Sequence, residues 1–197
     1  MRRVAATALA LVALAALPAS AGGGGPVRFT DPKGDWKVDS QDVTGGRISS
    51  ALVAGRPVLR GELTLAAAPG ATTAPGSYTL AWMVGCQSYS FNYEWQPGGY
   101  TGSLLRYDYC HERPTVSDVD ETFPATVTTK GSTLVFETPY VRDIKRGARL
   151  LGLIGGACPK GACVIYGDTR VDEDMAIVGD LGFSRGTYVV GSDLPRR

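Results

Sequence analysis

Val58-Leu59-Arg60-Gly61-Glu62-Leu63-Thr64-Leu65-Ala66 alternates apolar or small residues with polar ones. Leu59, Gly61, Leu63 and Leu65 fall on one side, Arg60, Glu62 and Thr64 on the other. A period of two is the mark of a β-strand with one buried and one wetted face. Upstream, Ala54-Gly55-Arg56-Pro57 reads as a turn, and Val43–Val53 before it as a partner strand. The same reading, carried outward, predicts strands over Val27–Thr30, Tyr78–Val84, Tyr89–Trp95 and Ser103–Tyr109. It continues with Leu150–Ala157, Val164–Gly167, Ala176–Val178 and Thr187–Val190. The clearest hairpin joins Ala125–Thr129 to Thr133–Thr138 through Lys130-Gly131. Glu112–Thr122 reads as a polar loop. Pro139–Ile144 is the one place where a short helical turn is expected, with Pro at its start and Gly147 beyond its end.

No segment keeps an apolar period of 3.6 residues for three turns. The expectation is therefore an all-β chain of about ten strands, a single antiparallel β-sandwich or jelly roll with at most one helical turn. The chain has 197 residues with 26 Gly and 12 Pro, enough for one domain, and the Gly and Pro mark its turns. Twenty basic against nineteen acidic residues leave a formal charge of +1. That balance speaks against a nucleic-acid binder, which neutralises phosphates with clustered cations. Lys145-Arg146 with Arg149 is too small a group for such a footprint.

Met1-Arg2-Arg3 is a positive start, Val4–Leu17 is uncharged and apolar, and Pro18 ends it. Ala19-Ser20-Ala21 has the small-x-small form that a signal peptidase accepts. Residues 1–21 thus read as a Sec-type signal peptide, cleaved after Ala21, and the apolar run is short for a membrane span. Residues 22–26 read as a flexible spacer, and 27–197 as the β-sandwich domain. No second long apolar segment follows, so no transmembrane segment is expected in the mature chain. The expected location is secreted, in the cell envelope or outside it.

The four cysteines, Cys86, Cys110, Cys158 and Cys163, all follow the leader, and an even number in an oxidising compartment favours disulfides. Three pairings are open. Cys86–Cys110 with Cys158–Cys163 is preferred, because Pro159-Lys160-Gly161-Ala162 makes a turn that brings its flanking cysteines together. A zinc site is disfavoured by the single histidine and the lack of a C-x-x-C pair.

Asp31-Pro32-Lys33-Gly34-Asp35 opens the domain, followed by Asp39 and Asp42-Val43. Asp174-Met175-Ala176 and Asp180 precede Gly186-Thr187-Tyr188-Val189-Val190-Gly191 near its end. This layout resembles a broad group of bacterial secreted β-sandwich domains related in outline to the DOMON and family 9 carbohydrate-binding modules. Strand order is alike over most of the mature chain. Between Cys86 and Cys110 no sugar-binding signature is present, so ligand specificity does not carry over. The resemblance implies that the first and last strands are neighbours, which would bring Asp174 or Asp180 beside Asp31 and Asp35. Calcium takes six to eight oxygens, Asp31 and Asp35 on a turn bent by Pro32 and Gly34 supply carboxylates of the right kind, and Asp42 is a further candidate. A structural calcium ion held by Asp31, Asp35, Asp42, Asp174 and Asp180 is one expectation. The other is that these are Asx turns, their carboxylates bonded to nearby backbone N–H groups.

Tyr89, Phe91, Tyr93 and Trp95 alternate along one strand and share a face, with Ser88, Ser90, Asn92 and Glu94 on the other. Such a stripe is either the buried side of a sheet or a surface on which a glycan stacks, with Tyr89, Tyr93 and Trp95 as binding residues. His111 is the only histidine, so any Ser-His or Cys-His mechanism would run through it. No G-x-S-x-G or H-E-x-x-H is present. The leading functional expectation is a non-catalytic binding or accessory module whose partner is a glycan or envelope component. A polysaccharide-acting enzyme on a jelly-roll scaffold and a purely structural envelope protein are the alternatives.

Overall fold

The computed structural model describes residues 25–34, 38–69, 76–96, 99–110, 119–159 and 180–195. The alternating stretch becomes β3 (Arg56–Leu65), preceded by β1 (Val27–Thr30) and β2 (Val43–Val53). Then come β4 (Gly76–Val84), β5 (Gln87–Gln96), β6 (Gly99–Asp108), β7 (Glu121–Pro124) and β8 (Thr126–Lys130). β9 (Thr133–Pro139), β10 (Arg149–Pro159) and β11 (Asp180–Val189) complete the set. Five strands form one sheet in the order β1-β2-β3-β9-β8, and six form the other in the order β11-β10-β4-β5-β6-β7. Every pairing is antiparallel. The two sheets pack face to face, which is the β-sandwich expected.

The period of two decides what each sheet buries. On β3, Leu59 and Leu63 are fully buried and Leu65 nearly so. On its outer face Arg47 of β2 pairs with Glu62 at 3.5 Å, and Arg60 Nε donates to Glu137 Oε1 of β9 at 2.8 Å. These are directly opposed residues, where opposite charges support a sheet. Gly61 lies on the inward side of the same strand. A methyl group there would come within 2.7 Å of Leu80 Cδ2 and 2.8 Å of Phe91 Cδ2, so glycine admits the other sheet's side chains. Phe29 of β1 uses two more glycines. Its ring fills the space a side chain would need at Gly46 and at Gly155, the latter on the opposite sheet. The high glycine content therefore serves inter-sheet contact as well as turns.

Several strands depart from expectation. β7 forms where a polar loop was expected, because Glu121–Pro124 pairs with Ser103–Arg106 along the sheet edge without an apolar alternation of its own. β11 starts at Asp180, well before Thr187; Gly182, Ser184 and Gly186 hide its period. The expected strands at 164–167 and 176–178 lie outside the described residues. Pro139–Ile144 is not a helical turn: Pro139 closes β9, and Arg142 adopts φ 39°, a left-handed backbone that breaks a right-handed helix. A tight turn follows instead, closed by the Ile144 N–H donating to Val141 O at 2.7 Å. Among the described residues helical geometry occurs only as a 3-10 turn at Asp39–Gln41.

The neighbouring first and last strands implied by the resemblance are adjacent in a different sense. β1 and β11 are the edge strands of opposite sheets, and Val27 packs where a side chain on Gly186 would lie. They meet across the edge of the sandwich and do not pair within one sheet.

Candidate functional site

Strand direction sorts the polar residues into the two ends of the sandwich. At one end β2 turns into β3, β4 turns into β5, β6 stops, and β9 crosses to β10. Here Cys86, in the β4–β5 turn, is joined to Cys110 beyond β6, with 5.1 Å between Cα atoms. The Tyr109 N–H donates to Cys86 O at 3.1 Å, and Gln87 Nε2 to Asp108 Oδ1 at 3.2 Å. The pairing is the one the sequence favours. Cys163 lies outside the described residues, as does the side chain of Cys158.

Beside this staple, Arg106 points inward from β6 and is only 6% exposed. It is ion-paired to Asp120, and lies 3.8 Å from Asp108 and 4.0 Å from Asp143. Asp143 comes from the β9–β10 loop, and its Oδ2 accepts from the Tyr89 hydroxyl at 3.1 Å. Burial first, and then that bond to Asp143, push the Tyr89 hydroxyl up to about 12. Tyr89 is thus a donor and not a base at neutral pH. Arg142 pairs with Glu121 alongside. A buried guanidinium ringed by carboxylates from three segments holds β6, the approach to β7 and the β9–β10 loop together.

A second group at this end fastens the C-terminal segment. Tyr188 OH donates to Asp193 Oδ1 at 2.6 Å and lies 2.7 Å from Ser50 Oγ. Tyr140 OH donates to Ser50 Oγ at 2.8 Å, as does the Gly191 N–H at 3.0 Å, and the Ser50 N–H donates to Asp193 at 3.0 Å. Burial and the Asp193 carboxylate hold the Tyr188 hydroxyl far above its ordinary range. Among the described residues the side-chain partners of the Ser50 hydroxyl are two tyrosines. This network lacks the imidazole or amine that would activate a serine nucleophile, and it orders the residues it joins.

The opposite end carries Asp31, Asp42 and the start of β11 at Asp180. Asp42 is fully buried; its Oδ2 accepts from the Gly34 N–H at 2.7 Å, while Oδ1 has no hydrogen-bond partner among the described residues. Ser40 Oγ and both amide atoms of Gln41 are likewise buried without partners among the described residues. The Gly34 contact is a bond to a backbone N–H eight residues away, not a local Asx turn, and the unpaired oxygens are the kind a hard cation takes. Among the described residues no three His, Cys, Asp or Glu side chains gather as metal ligands. Asp35 and Asp174 lie outside the described residues, as does the side chain of Asp180.

The aromatic stripe faces inward. Tyr89 and Phe91 have no exposed surface, and Phe91 stacks on Phe136 of the other sheet with centroids 5.3 Å apart. Tyr93 is half-buried against Tyr100 at 4.6 Å, and the side chain of Trp95 lies outside the described residues. The polar side of β5 is buried too: Thr79 Oγ1 donates to Asn92 Oδ1 at 2.9 Å, and Asn92 Nδ2 to Ser90 Oγ at 2.7 Å. His111 and residues 1–24 lie outside the described residues. Arg106 was not singled out in the sequence. Its signal was parity: it follows Leu104 at the two-residue period, and a charge at that place is a charge on the buried face.

Compared with protein-family models, with curated proteins and with solved structures, the chain finds no match.

Proposed function

We propose that the chain is an exported, disulfide-stapled β-sandwich that acts as a non-catalytic binding or accessory module of the cell envelope or the space outside it. The observation that carries this reading is the Cys86–Cys110 disulfide at an exposed end of the domain, in a chain that opens with a leader-like segment. An exposed structural disulfide persists in oxidising compartments and is rare in reducing ones. The hydrogen-bonded tyrosines around Ser50 and the carboxylates around Arg106 support a positioning role for both polar groups, not proton transfer.

The test is the fate of the N-terminus. The chain recovered from outside the cytoplasm should begin at Gly22, and Leu11→Arg in the apolar run should hold it inside, uncleaved. Recovery of the intact chain, reduced, from the cytoplasm would overturn the reading. The enzyme alternative has its own readout, since release of reducing sugar from any polysaccharide by the folded chain would replace the binding role.

Structural calcium belongs to the same proposal, supported by the buried Asp42 Oδ1 and the Ser40 and Gln41 oxygens that lack partners among the described residues. The expected result is a lower melting temperature with chelator, restored by calcium, and no chelator effect in Asp42→Asn. An unchanged midpoint in the natural chain would remove the ion.

A further inference from the structure

The β2–β3 hairpin ends in Leu52-Val53-Ala54-Gly55-Arg56-Pro57. Leu52 is 48% exposed and Val53 40% exposed, adjacent apolar side chains standing in water at a tip. The tip is held by Ala54 at φ 49° and Gly55 at φ 76°. Two exposed apolar neighbours would be unremarked on an ordinary surface. Their surroundings set them apart. Arg56 is exposed on the same hairpin, Lys145 and Arg146 are exposed on the β9–β10 loop, and Arg149 is exposed at the first position of β10. None of these four makes an ion pair with a described residue.

The loop and the hairpin share one end of the molecule. Tyr140, which opens the loop, reaches Ser50 Oγ two residues before Leu52. Gly191, bonded to the same oxygen, lies against the aliphatic part of Arg146. These four cations outnumber the two acids nearby, Asp193, which accepts from Tyr188 and the Ser50 N–H, and Asp143, which accepts from Tyr89 and lies 4.0 Å from Arg106. The carboxylates Asp108, Asp120 and Glu121 sit around Arg106 and Arg142 towards the β6–β7 edge. Among the described residues the end is therefore polarised, basic around the apolar tip and acidic at the far edge.

We propose that this basic end, with Leu52 and Val53 at its tip, docks on an anionic lipid bilayer. Cations gain near an anionic headgroup layer, and apolar side chains gain only if they also leave water. A soluble anionic polymer would satisfy the first requirement and leave Leu52 and Val53 wet. The bilayer satisfies both. The proposal goes beyond the module reading and stands on this surface alone, so failure of export would leave it intact.

Flotation of the full chain with vesicles tests it, comparing phosphatidylcholine with equal parts phosphatidylcholine and phosphatidylglycerol. The apolar run Val4–Leu17 would itself seek lipid, so the readout is the change between variants. Binding to the anionic vesicles should weaken by about thirtyfold or more in Lys145→Glu/Arg149→Glu, and by about tenfold in Leu52→Ser/Val53→Ser, with melting unchanged. Val53→Trp should add fluorescence that shifts to the blue on anionic vesicles and not on neutral ones. Charge reversal without effect would overturn the proposal. So would a serine pair that binds as well as the natural chain, or added fluorescence in Val53→Trp that stays at its aqueous wavelength; either would point to an anionic polymer in place of a bilayer.

Discussion

Phe29 on the first strand stands where a side chain at Gly155 would have to be: a methyl group there would lie 2.5 Å from Phe29 Cζ. Phe29 belongs to one sheet and Gly155 to the other, so this notch is a direct tie between the layers. A ring buried this way should contribute about 2–3 kcal/mol of burial free energy.

Filling the notch or emptying it should both destabilise. Gly155→Ala should cost about 1–3 kcal/mol by overpacking. Phe29→Ala should cost about 3–5 kcal/mol by leaving a cavity. The two together should cost less than their sum, since the methyl then enters space the ring has vacated. Urea midpoints of the three variants measure the coupling, and strict additivity would mean the two residues do not share the space.

Reduction of the disulfide should weaken the fold without abolishing it. Cys86 and Cys110 enclose a loop with a sequence separation of 24. The chain-entropy relation gives about 3–4 kcal/mol for a loop of that size. Cys86→Ser/Cys110→Ser should melt correspondingly lower, and mass mapping under non-reducing conditions should find the Cys86 and Cys110 peptides joined.

Stability should fall on the alkaline side. Tyr89 is pushed up to about 12 by burial and Asp143, and Tyr78, Tyr188, Tyr93 and Tyr107 are all raised, burial being the largest cause for each. In the unfolded chain a tyrosine ionises near pH 10. Above about pH 10 the unfolded state releases protons that the folded state keeps, so stability present below that pH is lost as pH rises towards 12. Melting temperature should drop across this window. Phenolate absorbance of the buried tyrosines should appear with unfolding and not before it. A normal titration near pH 10 of these five tyrosines in the folded chain would contradict the burial.

Arg106 should tolerate no simple truncation. Arg106→Ala leaves the partly exposed Asp108, Asp120 and Asp143 facing one another without their cation, and should cost about 2–3 kcal/mol. Asp120→Asn should cost less, because Asp108 and Asp143 remain near the guanidinium. Equal losses from the two would place the weight on that single pair.

Asp193→Ala should free the C-terminal segment while leaving the sheets in place. It removes the acceptor of Tyr188 and of the Ser50 N–H. Amide exchange should accelerate at Gly191 and Ser50 and stay slow at Leu59 and Phe91. Uniform acceleration across the core would show that the clasp supports the whole sandwich.

The strands were legible wherever one face is apolar and the other polar. Val27–Thr30 and Val43–Val53 appear with the expected bounds, and the Thr133 hairpin nearly so. β7 was not legible, because a short edge strand is held by its neighbour's hydrogen bonds and needs no alternation. The aromatic stripe on β5 was legible as a shared face. Whether that face looked inward depended on a second sheet whose Phe136 lies 45 positions away along the chain.

The sequence by itself determined local matters: which residues extend, where the turns fall, that Cys86 and Cys110 suit one another, and that acids crowd the two ends of the domain. Those follow from side-chain period, backbone preference and charge, which act between near neighbours. Only the tertiary structure decided that Gly61 and Gly155 are contact points and not flexible turns. It also decided that Arg106 sits buried among carboxylates from distant segments, and that a basic loop flanks the exposed tip at Leu52 and Val53. Each of these joins residues far apart in the chain, and their meeting is set by the packing of one sheet on the other.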